Sequence, residues 1–321
     1  MLYNVKAGII GLEELGVQVA TLIQAHVKDL KLIAASGRTQ KELLYAKNEL
    51  SLEYVYGDEK PLLENHDVDA LIITADIRYK ANLAIQAIEA GKHILIFNPV
   101  AMNLDDARAV HKTAESHPSQ TVMCISPMKS SKQLSELEDI VRSEKFGKLQ
   151  YVHCDSSFLR GLQKSYSKES GSIYLDRLLD EIEFVQRLIA ANPRKVSVER
   201  ANAMRICKIY YDHNSMVQFV INKTHKPVTG KLLLYFEKAS LSMDNSSNKN
   251  IIVNHNDGRQ ELIDTNISSD FNFPEYLQLN SFTQAILGKV KNNLKLDTAV
   301  ESMRIALAFE KSDVLEDEVN F

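Results

Sequence analysis

Short apolar runs of strand length alternate with longer stretches of helical periodicity through the first 125 residues. Val5 to Ile10 reads as a buried strand, Gly11 to Gly16 as a turn, and Val17 to Val27 as an amphipathic helix with Val19, Leu22, Ile23 and Val27 on one side. The alternation continues with a strand at 30–35, a helix at 40–50, a short strand at 54–56 and a strand at 70–74. Then come a helix at 80–90 closed by Gly91, a strand at 94–97, a helix at 104–115 and a strand at 121–125. Strands separated by helices at this spacing predict right-handed βαβ units and a parallel sheet covered on both faces.

Beyond residue 125 the pattern changes. A helix at 131–142 leads to a strand at 149–158 and a helix at 172–190, and then strand follows strand at 195–199, 206–211, 216–222, 231–235, 240–243 and 251–253. Several of these alternate with period two, as in an antiparallel sheet with one face buried. Two helices, 274–287 and 297–315, close the chain. The expected fold class is α/β: a domain with a parallel sheet over 1–124, and an α+β domain with a large, mostly antiparallel open sheet over 125–321, with the boundary around Pro127.

A length of 321 residues agrees with two domains at roughly 150 residues each. With 38 basic against 42 acidic residues the chain lacks the basic excess of a polyanion binder, so no nucleic-acid partner is expected. Cys124, Cys154 and Cys207 form no CxxC pair, which points to a reducing compartment and the cytoplasm, without a disulfide framework or zinc knuckle. No apolar run approaches membrane-spanning length, and Lys6 stands where a secretory leader would be apolar, so no membrane partner is expected. The histidines show no metal-binding spacing; His93 opens a strand and His225 falls in a polar loop.

The turn after the first strand, Gly11-Leu12-Glu13-Glu14-Leu15-Gly16, has the frame of a GxGxxG phosphate-binding turn with Glu13 at the middle glycine. The first and third glycines would make the tight turn and let the helix pack on the strand, whether or not a ligand binds. A Glu13 side chain aimed at a diphosphate would weaken binding by up to about three decades, and one turned to solvent would cost less. The second strand ends in Ser36-Gly37-Arg38-Thr39, without the acidic residue that holds an NAD ribose. Gly37-Arg38 leans toward NADP; the alternative is an ordinary solvated arginine.

These features, with Asp67-Val68-Asp69-Ala70-Leu71-Ile72-Ile73-Thr74, the stretch Gly91-Lys92-His93-Ile94-Leu95-Ile96-Phe97-Asn98-Pro99-Val100-Ala101 and a helix bearing Asp176, resemble the glucose-fructose oxidoreductase, inositol dehydrogenase and rhizopine catabolism family, Gfo/Idh/MocA. The resemblance covers essentially the whole chain. It implies a Rossmann domain and an open-sheet domain, NAD(P) chemistry on sugars, polyols or related small carbonyl compounds, and homo-oligomers built on the second sheet.

Carried over position by position, the resemblance places a cofactor along Gly11, Leu12, Glu13, Leu15, Gly37, Arg38, Thr74, Ala75, Asp76, Tyr79 and Asn98, and chemistry at Asp176, Asp180 and Asn98. Family members usually have Glu-Lys-Pro where this chain has Phe97-Asn98-Pro99, and a histidine four residues after the aspartate where this chain has Asp180. Leu178 stands where a glycine is common, and Thr74-Ala75-Asp76-Ile77-Arg78-Tyr79 replaces a Thr-Pro-Asn run ending in histidine. Alcohol oxidation needs a group to accept the hydroxyl proton, so Asp176 and Asp180, one helical turn apart, read as a carboxylate pair replacing the histidine. The alternative is a solvated acidic face made of Asp176, Asp180, Glu181 and Glu183. Asn98 can hydrogen-bond a carbonyl but carries no charge. Lys129 reads either as a displaced cation or as a helix-start lysine beside serine caps, and Tyr210, Tyr211, Tyr235 and Phe236 read as sheet packing. Two functions follow: an oxidoreductase with altered cofactor and catalytic motifs, or a catalytically silent relative that binds a ligand in the same cleft.

Overall fold

The computed structural model describes residues 4–125, 132–155, 170–189, 191–222, 230–244, 250–263, 274–291 and 296–321. Its contacts divide the chain into two units, Met1–Pro127 with Phe273–Glu301, and Met128–Asn272 with Ser302–Phe321. Residues 273–301 thus group with the first unit, whereas the sequence pattern alone counts them with the second.

In the first unit the strands are β1 (Val5–Ile10), β2 (Leu30–Ser36), β3 (Tyr54–Tyr56), β4 (Ala70–Ile73), β5 (His93–Phe97) and β6 (Val122–Ile125). They form one parallel sheet in the order β3-β2-β1-β4-β5-β6. The helices are α1 (Glu14–His26), α2 (Gln40–Asn48), α3 (Lys60–Glu64), α4 (Ile77–Glu89) and α5 (Leu104–Ser116). β1 and β4 are buried almost throughout, as a parallel sheet covered by helices requires. Their C-terminal ends make the switch point, where strand order reverses and a crevice opens. A later helix, α8 (Pro274–Ile286), adds Leu279 and Phe282 to the core that holds Val19, Ala20 and Ile23 of α1.

The second unit has a nine-stranded sheet. Its strands are β7 (Leu149–Asp155), β8 (Pro193–Ala201), β9 (Met204–Tyr211), β10 (Met216–Asn222), β11 (Lys231–Phe236), β12 (Ala239–Asp244), β13 (Ile251–His255), β14 (Gln260–Ile263) and β15 (Val319–Asn320). They lie in the order β14-β13-β12-β11-β7-β10-β9-β8-β15, and only the β7–β10 pairing is parallel. The helices are α6 (Lys132–Arg142), α7 (Ile173–Leu188) and, crossing the unit boundary, α9 (Leu296–Leu315). One sheet face is sealed by Val152, Cys154, Val217, Phe219, Ile221, Leu232 and Leu234, with Phe219 edge-on to Phe309 of α9. All three cysteines are buried, and none forms a disulfide.

Three departures from the sequence reading have local causes. α1 starts at Glu14, earlier than the apolar stripe suggests, because the Glu13 carbonyl already accepts the Val17 N–H at 2.9 Å. α3 is a short helix opened by a proline, below the length at which periodicity shows. β14 and β15 are sheet-edge strands without a buried position, so they lack the apolar alternation that marks a strand. Tyr211 and Phe236 do pack inside the sheet, whereas Tyr235 is 43% exposed.

Candidate functional site

The switch point is built by a reciprocal fit of β1, α1 and β4. Gly11 has φ +92°, in the left-handed region, and a Cβ there would stand 2.9 Å from the backbone of Ala75. A Cβ at Gly16 would stand 2.0 Å from the Gly11 carbonyl oxygen, so only glycine lets α1 sit this close to the turn. Thr74, buried at the end of β4, directs its hydroxyl toward the carbonyls of Gly11 (2.6 Å) and Ile10 (3.1 Å) and ties the two strands together. A cavity beside the turn is lined by Ile10, Gly11, Glu13, Ser36, Gly37, Arg38, Glu42, Glu59, Ala75 and Asp76.

Glu13 is exposed at the N-cap of α1 and accepts no capping hydrogen bond with its side chain, so the first-turn N–H groups of α1 are left to other partners. Its charge reaches Arg78, which lies 2.8 Å from Asp76. Asp76 caps α4 through the Arg78 N–H at 2.9 Å.

At the far end of the cavity Arg38 is held by its neighbours. Its Nε and Nη2 donate to Glu59 Oε1 at 3.2 and 3.0 Å, its backbone N–H donates to Glu42 Oε2 at 2.7 Å, and its guanidinium lies 3.9 Å from the centre of the Tyr79 ring. Arg38 is exposed and at the same time held by acidic residues on α2 and before α3. Glu42 reaches back from the first turn of α2 while Thr39 caps that helix, a local arrangement close to a capping box.

Of the residues expected around a cofactor, Gly11, Glu13, Gly37, Arg38, Ala75 and Asp76 line the cavity. Leu12, 4% exposed, turns into the core, and Leu15 packs against it. Thr74 is used inside the turn, and Tyr79 lies under Arg38. Ile10, Ser36, Glu42 and Glu59 were not singled out by the motif; an acid at the third position of a capped helix is the one signal that marks Glu42.

Asn98 follows β5 and is joined to Pro99 by a cis bond; its Oδ1 accepts the Cys124 thiol proton at 3.0 Å. The carbonyls on either side, Phe97 and Pro99, accept from the buried Lys80 ammonium of α4 at 2.8 and 2.9 Å. The neighbouring Gly91-Lys92-His93 stretch is equally occupied by the fold. Lys92 Nζ donates to the carbonyls of Asn65 (2.6 Å) and Val68 (2.8 Å), and burial pushes its pKa down. His93 Nδ1 accepts the Thr121 N–H at 2.8 Å, and burial lowers the imidazole pKa.

In the second unit Asp176 and Asp180 are half-buried on α7, and the Ser170 N–H donates to Asp176 Oδ1 at 3.0 Å. Ser172 caps the helix. Glu181 and Glu183 are 3% and 1% exposed, so the four acids do not form a solvated face; burial raises the pKa of the Cys154 thiol, and the charge of Glu181 adds to that rise. Leu178, where the resemblance expects glycine, is fully buried. Lys129 and His225 lie outside the described residues. Among the described residues no cluster of three His, Cys, Asp or Glu side chains could hold a metal ion, and no helix is long and apolar enough to cross a membrane.

Residues 5–125 match the sequence model of the oxidoreductase family with an NAD-binding Rossmann fold, Gfo/Idh/MocA. The chain is 23% identical over 244 residues to the myo-inositol 2-dehydrogenase of Thermotoga maritima, covering 75% of this chain and 68% of that protein. It is 23% identical over 199 residues to the scyllo-inositol 2-dehydrogenase (NAD(+)) of Bacillus subtilis, covering 61% of this chain and 57% of that protein. The crystal structure of scyllo-inositol dehydrogenase from Lactobacillus casei with bound NAD(H) and scyllo-inositol superposes with a TM-score of 0.81 at 19% identity, over 99% of each chain, which shows a shared fold. The likeness to the Gfo/Idh/MocA family thus lies in residues 5–125, the N-terminal Rossmann domain, and the likeness over the whole chain is one of fold.

Proposed function

We propose that the protein is an NAD(P)-dependent oxidoreductase acting on a sugar, polyol or related small carbonyl compound. The observation that carries this reading is the glycine turn at the switch point, where Gly11 and Gly16 let β4 and α1 close tightly on the turn, beside a cavity lined by Gly37, Arg38 and Asp76. The Gly11 turn and the N-terminus of α1 would hold the diphosphate, and the β2 end the adenosine ribose. A bound nicotinamide cofactor supplies hydride acceptance or donation. Asp176 and Asp180 would accept the hydroxyl proton, with Asp176 oriented by the Ser170 N–H, and Asn98 would offer its amide in place of a lysine. Absence of an acid at the end of β2 points toward NADP, and the pairing of Arg38 with Glu59 points away from it.

The test is to titrate NADH and NADPH while following fluorescence and melting. Cofactor at one hundred times its dissociation constant should stabilise the fold by about 2.7 kcal/mol, and no response to either removes the proposal. One observation favours a second reading, binding without turnover: Asn98 brings no charge, and its Oδ1 is engaged by Cys124. Turnover of inositols abolished by Asp176→Asn or Asp180→Asn supports the enzyme; binding with a rate at background supports the silent relative.

We also propose assembly with a second copy through the outer face of the nine-stranded sheet. That face exposes Tyr235 and Leu262 beside Leu233 and Ile252 in one cleft. A stable monomer in sedimentation at micromolar concentration rejects it.

A further inference from the structure

We propose that Glu59, together with Glu42, makes the adenosine end of the cavity select an unphosphorylated ribose, so that NAD binds more tightly than NADP despite Arg38. This rests on the reading of the cavity as a dinucleotide site. A 2′-phosphate is recognised by N–H donors, and the donors at the β2 end are already taken by carboxylates: Arg38 Nε and Nη2 by Glu59, and the Arg38 backbone N–H by Glu42. Glu59 is the more confined partner, with a side chain 20% exposed against 51% for Arg38, and stacking on Tyr79 fixes the guanidinium from another side. Both carboxylates line the cavity together with Glu13 and Asp76, while Arg38 is the single cation in that lining. A phosphate dianion entering there meets net negative charge and competes with Glu59 for Arg38. A ribose diol brings two O–H donors to carboxylates that can accept them. The ordinary acid at the end of β2 is missing, and its work falls to acids on α2 and at the start of α3.

Glu59 makes no side-chain cap to α3, so Glu59→Gln leaves that helix terminus intact. Dissociation constants for NADH and NADPH at low salt should favour NADH in the wild type by about tenfold or more, the scale of one uncompensated like charge near the surface. E59Q should tighten NADPH binding by about tenfold while moving NADH far less, and that gain should vanish in the R38A/E59Q double variant, which identifies Arg38 as the group released. In the wild type, raising the salt concentration should narrow the gap between the two cofactors, a measurement that needs no variant. Equal affinities, a wild-type preference for NADPH, or an E59Q effect common to both cofactors overturns the proposal and leaves the dinucleotide reading standing. Failure of both cofactors to bind overturns the two together.

Discussion

The segment from Gly91 to Pro99 in the first unit and the segment from Ser170 to Glu183 in the second both carry family-like motifs, yet the fold uses them differently. In the first, almost every polar group is consumed by backbone. Lys92 bridges two carbonyls, His93 receives Thr121, and Lys80 from α4 clamps the carbonyls around Asn98. In the second, Asp176 and Asp180 keep part of their surface in solvent while the acids beyond them are buried. The difference teaches that a residue string can preserve a family's appearance through groups that hold carbonyls in place, while the groups that meet reactants change independently. The first kind is tested by stability and the second by ligand.

The strongest break should come at Gly16. Gly16→Ala puts a methyl 2.0 Å from the Gly11 oxygen, a backbone atom that cannot swing aside. The expected loss is about 3 kcal/mol or more, with failure to fold as the extreme, measured by urea denaturation. Retention of wild-type stability would mean that α1 does not approach the turn as described.

Next in size are the two lysines. Lys80→Met and Lys92→Met each leave a pair of buried carbonyls without their charged donor, and each should cost about 2–4 kcal/mol in denaturant titrations. If Lys80→Met lowered cofactor affinity with no loss of stability, Lys80 would belong with the ligand-facing groups and the contrast between the two segments would weaken.

Glu13 sharpens the ligand-facing side. It is exposed, so water screens the full repulsion expected of a carboxylate facing a diphosphate. Glu13→Gly should tighten dinucleotide binding by about tenfold rather than a thousandfold. A larger gain would place the Glu13 side chain over the diphosphate.

Much of this architecture was legible in the chain because it rests on periodicity. The buried runs of β1 and β4, the helices between them and the alternating strands of the second sheet each bury one predictable set of side chains. Gly11 and Gly16 could be located because a tight turn and a close helix leave few alternatives. What could not be read was pairing across sequence distance. Arg38 meets Glu59 across 21 positions, and Lys80 meets Pro99 across 19, and no local pattern encodes either. The acids of α7 show the same limit: their spacing gives the face, but burial of Glu181 and Glu183 depends on what the sheet brings against them.

The smallest expected effect is the pH dependence of His93, and its sign follows from geometry. Nδ1 accepts the Thr121 N–H, so it must be unprotonated, and burial disfavours the charged ring. The folded pKa therefore lies below that of the unfolded chain, about 6.5. As pH falls past that value the unfolded chain takes up a proton before the folded protein does, so stability is full above it and declines until the folded pKa is also passed. His93→Gln removes the titrating group. It should lower stability at pH 7.5 and show a shallower loss than the wild type between pH 6.5 and 5, with the other histidines cancelling in the difference. A wild-type-minus-variant difference that stays flat, or that grows on acidification, would place a proton on His93 in the folded protein and contradict its role as an acceptor for Thr121.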